Sequence, residues 1–401
     1  MRVSRRKLTL GLLTILAAGL PGCGGTMRPQ QQQEYLLKRR REDSEHYLKQ
    51  TQERYLSLLK GTKAQYDEYL AGRQARPPVI DYLIISGGGD WGAFGASILK
   101  GWGKIPKSEP LARPKFDVVT GVSTGALIAP FAYLGDDESI ERIVTLYRDP
   151  QSDWVQTRWP FYFLPSNISF AEVPGLEREV KKTVTPEMIA RLVEEGKDGR
   201  LLFVNTTNLD DASPHVFYLI PEARRAVITG DLERFHSILM ASAGIPGAFP
   251  YRVIDGAMYV DGGVTSNMIF GSRIPEESRL PALWKSLYPK LAMPKLRYWV
   301  IFNNQLQTAP TVVKARWFDI ISRSIELSTR SATLSSMRLL HLMAETARLK
   351  HDADIEVRIM AIPDDWTPPK PGTFVKETMN NLAALGERMG ADPTSWRTSP
   401  L

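Results

Sequence analysis

A serine closely flanked by glycines is the first position in the chain whose surroundings suggest chemistry. Gly121, Ser123 and Gly125 form a G-x-S-x-G pattern between an apolar segment and a segment of helical character. Small residues on both sides of a serine permit a sharp strand-to-helix turn, which exposes the hydroxyl at the helix N-terminus. The pattern predicts a nucleophile at Ser123. The alternative interpretation of this motif is a turn of small residues in which the serine only caps the helix.

A run of three glycines marks a second candidate turn. Gly87, Gly88 and Gly89 follow an apolar segment and precede a second helical segment. Successive glycines let the backbone approach a ligand and direct amide N–H groups at it, and a helix N-terminus adds positive potential. The string also satisfies G-x-G-x-x-G, but a dinucleotide site needs an acidic residue at the end of the second strand. Asp117 lies at the start of that strand, so we favour an oxyanion loop.

A serine nucleophile needs a proton acceptor, and Asp261 is the preferred candidate. It ends an apolar segment, and Gly262 and Gly263 after it allow the chain to turn tightly beside another loop. Asp-Gly is also an ordinary turn dipeptide, and Asp255-Gly256 is predicted to be such a hairpin turn. Asp261 is therefore predicted to be the partner of Ser123.

Histidine is the usual base in serine hydrolases, and several histidines follow Ser123. His215, His236, His341 and His351 all lie outside glycine-rich strand ends. A catalytic triad with the chain order serine, acid, histidine could be formed by Ser123, Asp261 and His341. This triad remains open as an alternative to a Ser–Asp pair.

These motifs together resemble the patatin-like phospholipase family, in which a glycine-rich oxyanion loop, G-x-S-x-G and D-G-G/A occur in this order. The segment 241–250 and Asn267 resemble the family as well, so the resemblance covers about residues 80 to 270. It implies a three-layer α/β/α fold with a mainly parallel central sheet. It also implies a Ser123–Asp261 dyad, with Gly87, Gly88 and Gly89 as the oxyanion loop. Trp91 stands where many members have a basic residue, so backbone amides would carry more of the charge stabilisation.

The implied activity is cleavage of fatty-acyl esters in phospholipids, lysophospholipids or related lipids through an acyl-enzyme. The resemblance implies no metal and no cofactor for this reaction. An acyltransferase that uses the same acyl-enzyme is one alternative. A lipid-binding lipoprotein without turnover is another, from a different functional class.

The pattern of apolar segments from Val79 onward predicts strands that alternate with helices, which is typical of an α/β layered domain. Strands are expected at 79–86, 116–120, 201–206, 216–220, 252–260, 296–302 and 355–361. Helices are expected at 91–102, 124–134, 232–243, 312–350 and 374–389. Pro130 is expected to kink or loosen the helix that follows Ser123.

The N-terminus has the features of a lipoprotein signal peptide. A basic start precedes an apolar run from Leu8 to Leu20, which is too short to cross a bilayer as a helix. The sequence 20–23 resembles a lipobox, so residues 1–22 are predicted to be removed and Cys23 to be lipidated. Gly24 favours the outer over the inner membrane of a bacterial envelope. A free cysteine behind an uncleaved N-terminus is the alternative, and Arg5-Arg6 leaves the export route open between the general and twin-arginine pathways.

Residues 23–77 are predicted to be a polar helical tether, and residues 78–401 a catalytic domain with a C-terminal helical elaboration. The tether helix is expected to pack on the main domain, with a coiled-coil partner site as the alternative. Between the nucleophile helix and the next strand lies the most aromatic stretch of the chain, which suits either a lipid–water boundary or ordinary core. Its members are Trp154, Trp159, Pro160, Phe161, Tyr162, Phe163, Leu164 and Phe170.

Composition limits the range of partners. The formal net charge is +7, and it falls to +3 without the four basic residues of the signal peptide, Arg2, Arg5, Arg6 and Lys7. That charge is too small to argue for nucleic acid. The chain has a single cysteine, so a zinc-type cysteine cluster is not expected. The predicted partners are therefore a lipid substrate and a membrane surface reached through the lipid anchor.

Overall fold

The computed structural model describes residue 28, residues 31–158 and residues 167–398. The predicted signal peptide, Cys23 and the aromatic residues 159–164 lie outside this part of the chain. Within it, no helix combines the length and apolar character needed to cross a membrane.

The core of the fold is one eight-stranded sheet, and a short two-stranded sheet lies beside it. In chain order the strands are β1 (Val79–Ile85), β2 (Val118–Val122), β3 (Gln156–Thr157), β4 (Ala171–Glu172), β5 (Leu201–Asn208), β6 (Ser213–Tyr218), β7 (Arg252–Ile254), β8 (Ala257–Asp261), β9 (Lys295–Gln305) and β10 (Ile355–Ile362). β3 and β4 form the small sheet, and the other eight strands form the large one.

Eleven α-helices of the described chain surround the sheet. They are α1 (Gln33–Leu70), α2 (Gly92–Trp102), α3 (Thr124–Leu134), α4 (Asp137–Arg148), α5 (Pro174–Thr183), α6 (Pro186–Glu195), α7 (Leu219–Thr229), α8 (Glu233–Ser242), α9 (Leu280–Leu287), α10 (Trp317–His351) and α11 (Lys376–Gly390).

The central strands are buried on both faces, which requires a helical layer on each side. In β1, Tyr82 and Ile84 pack into one apolar cluster with residues of α1, α9 and α10. Leu83 and Ile85 point the other way, into a cluster with residues of α2, α3, α4 and α11. β10, β9, β1, β2 and β5 run parallel in that order. The predicted three-layer α/β/α fold with a mainly parallel sheet is confirmed.

β5 pairs with the strands that end next to Ser123 and at Asp261. Along one edge it pairs in parallel with β2, and Val122 lies opposite Asn205. β6 pairs antiparallel with residues 203–208, so it must occupy the other edge. β8 also pairs antiparallel with β5, and Asp261 lies opposite Thr206. Because β6 takes the second edge, β8 continues the edge of β2, and the two strands meet end to end.

Several local expectations differ from the structure. The predicted strand 252–260 is a hairpin of β7 and β8, and Asp255 and Gly256 form its turn with φ of 51° and 76°. The strand predicted at 216–220 ends at Tyr218, and α7 begins at Leu219. Pro130 lies inside α3 without ending it. The helices α4, α5, α6, α7 and α9 were not predicted, because their amphipathic patterns are short and lie between the motifs.

The N-terminal helix α1 contributes to the core of the domain. Tyr55, Leu58 and Leu59 of its second half are buried in the cluster that also contains β1 and β9 residues. Its first half is mostly exposed, with the ion pair Arg39–Asp43 on its surface. The packed half of α1 therefore shares the apolar core of residues that follow the Pro77-Pro78 turn.

Candidate active site

Ser123 lies on a strained turn between β2 and α3. Its φ of 55° and ψ of −124° place a non-glycine residue in a region that few side chains adopt. A Cβ on Gly121 would overlap the carbonyl of Gly125, and a Cβ on Gly125 would overlap the carbonyl oxygen of Ile85. Glycine is needed at both positions because the turn is tight and α3 lies directly against β1. The turn projects the Ser123 side chain at the N-terminus of α3.

Asp261 ends β8 and is buried beside Ser123. Burial raises the pKa of Asp261 to about 6, and hydrogen bonding with the Ser123 side chain and the Gly263 amide opposes part of this rise. The Gly263 N–H donates to Oδ1 of Asp261 over 2.7 Å. A carboxylate with a raised pKa is a better proton acceptor than an ordinary aspartate in water. The structure thus brings together the two side chains that the sequence singled out.

A buried network joins the two turns through β5. The Ser123 N–H donates to Oγ of Ser242 over 3.0 Å, and that hydroxyl donates to the Asn205 carbonyl over 2.6 Å. Nδ2 of Asn205 donates to the carbonyl oxygens of Gly262 (3.0 Å) and Ser266 (2.8 Å). A Cβ on Gly262 would overlap the Asn205 carbonyl oxygen. Ser242 and Asn205 therefore act as positioning residues for the nucleophile and the acid.

The three loop glycines differ in what their amides do. The Gly87 N–H donates to Oδ1 of Asn267 over 2.9 Å, so it is already engaged. Within the described chain, no partner is recorded for the N–H groups of Gly88 and Gly89. The N–H of Thr124, the first residue of α3, has no partner in its own helix. Gly88, Gly89 and Thr124 are therefore the donors available to an oxyanion, and Gly87 serves to anchor the loop.

Packing requires glycine at two positions of this loop. A Cβ on Gly87 would overlap Oδ1 of Asn267, and a Cβ on Gly88 would overlap the Asn303 carbonyl oxygen. Gly89 has a φ of 60° and open space where a Cβ would lie.

Trp91, two residues after Gly89, packs edge-on against Trp366 with ring centroids 5.2 Å apart. That position thus carries an aromatic contact and no positive charge.

An apolar pocket adjoins Ser123 and Gly89. Leu127 and Leu146 line it together with Trp154, Phe249 and Phe374. Trp154 and Phe249 both contact the ring of Phe374, at 5.8 and 6.3 Å between centroids. A pocket with apolar walls beside a nucleophile suits a hydrocarbon chain. Of the aromatic stretch singled out in the sequence, Trp154 lines this pocket, and Phe170 is half-buried with its N–H donating to the Gly247 carbonyl.

A buried carboxyl fastens the loop that carries Phe374. The Phe374 N–H donates to Oδ2 of Asp90 over 2.9 Å, and Asp90 directly follows the oxyanion glycines. Burial raises the pKa of Asp90 to about 6. Phe374 itself has a φ of 56°. Asp90 therefore joins the oxyanion loop to one wall of the apolar pocket.

The histidines lie elsewhere in the described chain. His215 packs against Phe217 and Tyr259, and burial lowers its pKa to about 4. A ring nitrogen of His236 bonds to the Val184 carbonyl, and His351 contacts Glu276. Burial lowers the pKa of His341, which lies on α10. Among these residues no histidine is recorded in contact with Ser123 or Asp261, so the geometry does not favour the alternative triad.

No group of three or more histidine, cysteine or acidic side chains that could hold a metal ion occurs in the part of the chain the structure describes. The acids at the site have other contacts, since Asp261 faces Ser123 and Gly263 while Asp90 accepts from Phe374. The chemistry that the site itself offers is nucleophilic, through a serine, a basic carboxylate and free amide donors.

The fold and the site define an α/β protein with a serine at a strained strand-to-helix turn and a buried carboxylate at a neighbouring strand end. Residues 83–273 match the family model of the patatin-like phospholipases, so this part of the chain is a domain of that family. The domain indicates, in general terms, an enzyme that hydrolyses lipid acyl groups. No curated protein matches the chain significantly.

Sequence reasoning missed several residues that position the site. Asn205 follows four apolar residues of β5, and a polar side chain at the end of such a run is a signal that could have been used. Thr333 accepts a hydrogen bond from Nδ2 of Asn267 over 3.1 Å, but nothing in its local sequence indicates this contact. Asn303 donates from Nδ2 to the Ser86 carbonyl over 2.8 Å and supports the end of β1.

Proposed function

We propose that the protein is a serine lipid acyl hydrolase that cleaves fatty-acyl esters of phospholipids, lysophospholipids or related lipids through Ser123 and Asp261. The observation that carries this proposal is that Ser123 bonds to a buried carboxylate of raised pKa and lines one pocket with Gly89, whose N–H, like that of Gly88, has no recorded partner in the described chain. The apolar pocket beside Ser123 supports an acyl chain as the group that is bound.

In the first half of the reaction, Oγ of Ser123 attacks the ester carbonyl carbon while its proton moves to the Asp261 carboxylate. The carbonyl oxygen becomes an oxyanion that accepts hydrogen bonds from the Gly88 and Gly89 amides. One such donor contributes on the order of 3 kcal/mol to transition-state stabilisation. When the tetrahedral intermediate collapses, the alcohol leaves with the proton from Asp261, and the acyl group remains on Ser123.

In the second half, water takes the place of the alcohol. Asp261 accepts a proton from the water as its oxygen attacks the acyl carbon, and the same amides stabilise the second oxyanion. Collapse releases the fatty acid, and the proton on Asp261 returns to Oγ of Ser123. The cycle leaves both side chains as they began, with one ester and one water converted to an acid and an alcohol.

A fluorophosphonate probe followed by a lipid panel tests this proposal. Purified protein should be labelled at Ser123, and peptide mass spectrometry locates the label. Phospholipids and lysophospholipids should then yield free fatty acid in water. Labelling without release of fatty acid, when an alcohol acceptor is consumed instead, would point to acyl transfer. An absence of both labelling and product would contradict the proposal.

We also propose that Cys23 carries the lipid anchor and that the protein resides in a bacterial envelope, at the outer membrane. The lipobox-like sequence before Cys23 and Gly24 after it support this proposal. The acyl chains of a lipoprotein N-terminus provide more than one membrane signal, which suffices for stable attachment. Mass spectrometry of the mature N-terminus should find an acylated Cys23. An intact Met1 or an unmodified Cys23 thiol would contradict it.

A further inference from the structure

The N-terminal half of α10 is amphipathic, and its apolar side faces solvent. Trp317, Ile320, Ile321 and Ile325 recur three and four positions apart, so they share one face of the helix. A surface helix normally buries such a face. Here Trp317 is 65% exposed, Ile320 51%, Ile321 49% and Ile325 53%.

The charged face of the same helix points toward the protein. Arg330 is 7% exposed and donates to the Gln305 carbonyl and to Oδ1 of Asn304. About two turns nearer the N-terminus of the helix, Arg323 donates to the Ala309 carbonyl and pairs with Glu326. These contacts hold the side of the helix that carries Arg323 and Arg330 toward the protein. Trp317, Ile321 and Ile325 lie on the opposite side and therefore face outward. Ile320 lies at the border of this outward side. The exposure of the isoleucines therefore follows from how the helix is seated.

The exposed face lies beyond the active-site edge of the sheet. Thr333 of α10 contacts Asn267, which in turn holds the Gly87 amide of the oxyanion loop. From Thr333 toward its C-terminus, the helix returns to the start of β10, at the opposite edge of the parallel sheet. Its N-terminal part therefore projects past the site. At 1.5 Å per residue, Ile325 lies about 12 Å and Trp317 about 24 Å beyond Thr333 along the helix axis.

The loop before α10 adds a further exposed apolar residue. Val312 is 97% exposed, and Lys314 and Arg316 lie between it and Trp317. A tryptophan with exposed aliphatic residues and flanking basic side chains is the composition of helices that lie in a lipid–water interface. Arg316 is paired with Asp319, and Lys314 beside them leaves a net positive charge at this border, which suits anionic headgroups.

We propose that the apolar face formed by Val312, Trp317, Ile320, Ile321 and Ile325 docks on a lipid bilayer and sets the active-site edge against the membrane surface. The inference rests on the proposed function, because a lipid substrate must be taken up from that surface. Docking needs no chemistry at Ser123, so it can be tested without turnover. A second copy of the chain on the same face is the competing occupant.

A fluorescent label on the helix tests the docking directly. Cys23 is the only cysteine, so Cys23→Ser allows a single new thiol at Ile320→Cys to carry an environment-sensitive fluorophore. Leu349→Cys is the matched control, because Leu349 is 86% exposed at the far end of the same helix. Both variants carry Ser123→Ala, and the vesicles contain phosphatidylcholine and phosphatidylglycerol.

The label at position 320 should shift to shorter emission wavelength when vesicles are added, and brominated lipids should quench it. The label at position 349 should not respond. An unchanged emission at position 320, or an equal response at both positions, would overturn the proposal. A shift at position 320 that follows protein concentration without vesicles would assign the face to a second copy instead.

An activity measurement separates this inference from the proposed function. Ile320→Ser combined with Ile325→Ser should lower hydrolysis of vesicle phospholipid by about tenfold, since two exposed aliphatic side chains no longer enter the bilayer. Hydrolysis of a short, soluble ester should be unchanged, and an equal loss on both substrates would contradict docking. If the unmodified chain hydrolyses neither substrate, the proposed function fails, whereas the labelling result still decides the docking.

Discussion

Ser123 follows the last residue of β2 and Asp261 is the last residue of β8, and these two strands meet end to end along one edge of β5. Val122 lies opposite Asn205 and Asp261 lies opposite Thr206, so the two strand ends are separated by a single step of β5. Because β2 and β8 run toward each other, their following turns open at the same point. This arrangement, and no feature of either turn alone, makes a Ser–Asp pair possible.

The first prediction concerns the pair itself. Ser123→Ala and Asp261→Asn should each lower kcat for ester hydrolysis by at least about 10³-fold, because nucleophile and proton acceptor act as one unit. For the same reason the double variant should be little worse than either single variant. Steady-state kinetics with a soluble ester measures all three.

Histidine variants are the control for this prediction. His215→Ala, His236→Ala and His341→Ala should each keep substantial turnover, since none of these side chains contacts Ser123 in the described structure. Near-normal activity of Asp261→Asn, together with loss in one histidine variant, would replace the pair with a serine–histidine arrangement.

The second prediction is a pH profile. Asp261 accepts the serine proton only as a carboxylate, and burial raises its pKa to about 6. The rate of acylation should therefore rise with pH through about 6 and level off above it. Single-turnover kinetics with a soluble ester gives this profile. A rate that is already at its plateau near the ordinary aspartate value of 3.8 would show that Asp261 is not the acceptor.

The third prediction follows from the same pKa and concerns stability. The folded-state pKa of Asp261 is raised above its ordinary value of 3.8, so its contribution to stability is present below that value and is lost as pH rises through about 6. A neutral Asp261→Asn should thus be more stable than the unmodified protein at about pH 8, by up to about 3 kcal/mol. The difference should shrink at about pH 4.

Thermal unfolding of both proteins at the two pH values measures this difference. Asp90 and Asp117 also have raised pKa values, but they titrate equally in both proteins and cancel in the comparison. An Asp261→Asn variant that is less stable at high pH would mean that the carboxylate is better solvated than its burial indicates.

The fourth prediction concerns the anchor of the oxyanion loop. Asn267→Ala removes the acceptor of the Gly87 amide and leaves that donor unpaired, so the loop should lose its orientation. We expect kcat to fall by about 10-fold to 10²-fold with a small change in KM. Thr333→Val is the matched variant, because it keeps the Gly87 contact of Asn267 and removes only the Thr333 hydroxyl, which accepts from Asn267 and donates to the Thr329 carbonyl. Equal losses in both variants would indicate general damage to the fold.

The fifth prediction concerns aromatic residues outside the described part of the chain. Phe161→Ser together with Phe163→Ser should lower hydrolysis of vesicle lipid more than hydrolysis of a short soluble ester, if this stretch lies at a lipid–water boundary. Paired assays on the two substrates measure the ratio. An equal loss on both would favour a role for these side chains in the core.

Local sequence was enough to identify the two turns and their glycines. G-x-S-x-G and D-G-G specify tight turns through the sizes of adjacent residues, which are covalent neighbours and need no tertiary information. Continuous apolar strands such as β1 likewise predict a sheet covered on both faces. The fold class and the candidate nucleophile and acid could therefore be predicted before any coordinates.

Only the tertiary structure decided how those parts meet. Which edge of β5 receives β8 depends on where β6 pairs, and no residue near Asp261 encodes that choice. The use of the Gly87 amide depends on Asn267, and the outward position of Ile321 depends on the buried contacts of Arg330 on the opposite side of the helix. Such outcomes come from contacts between segments far apart in the chain, where packing and hydrogen-bond satisfaction override local pattern.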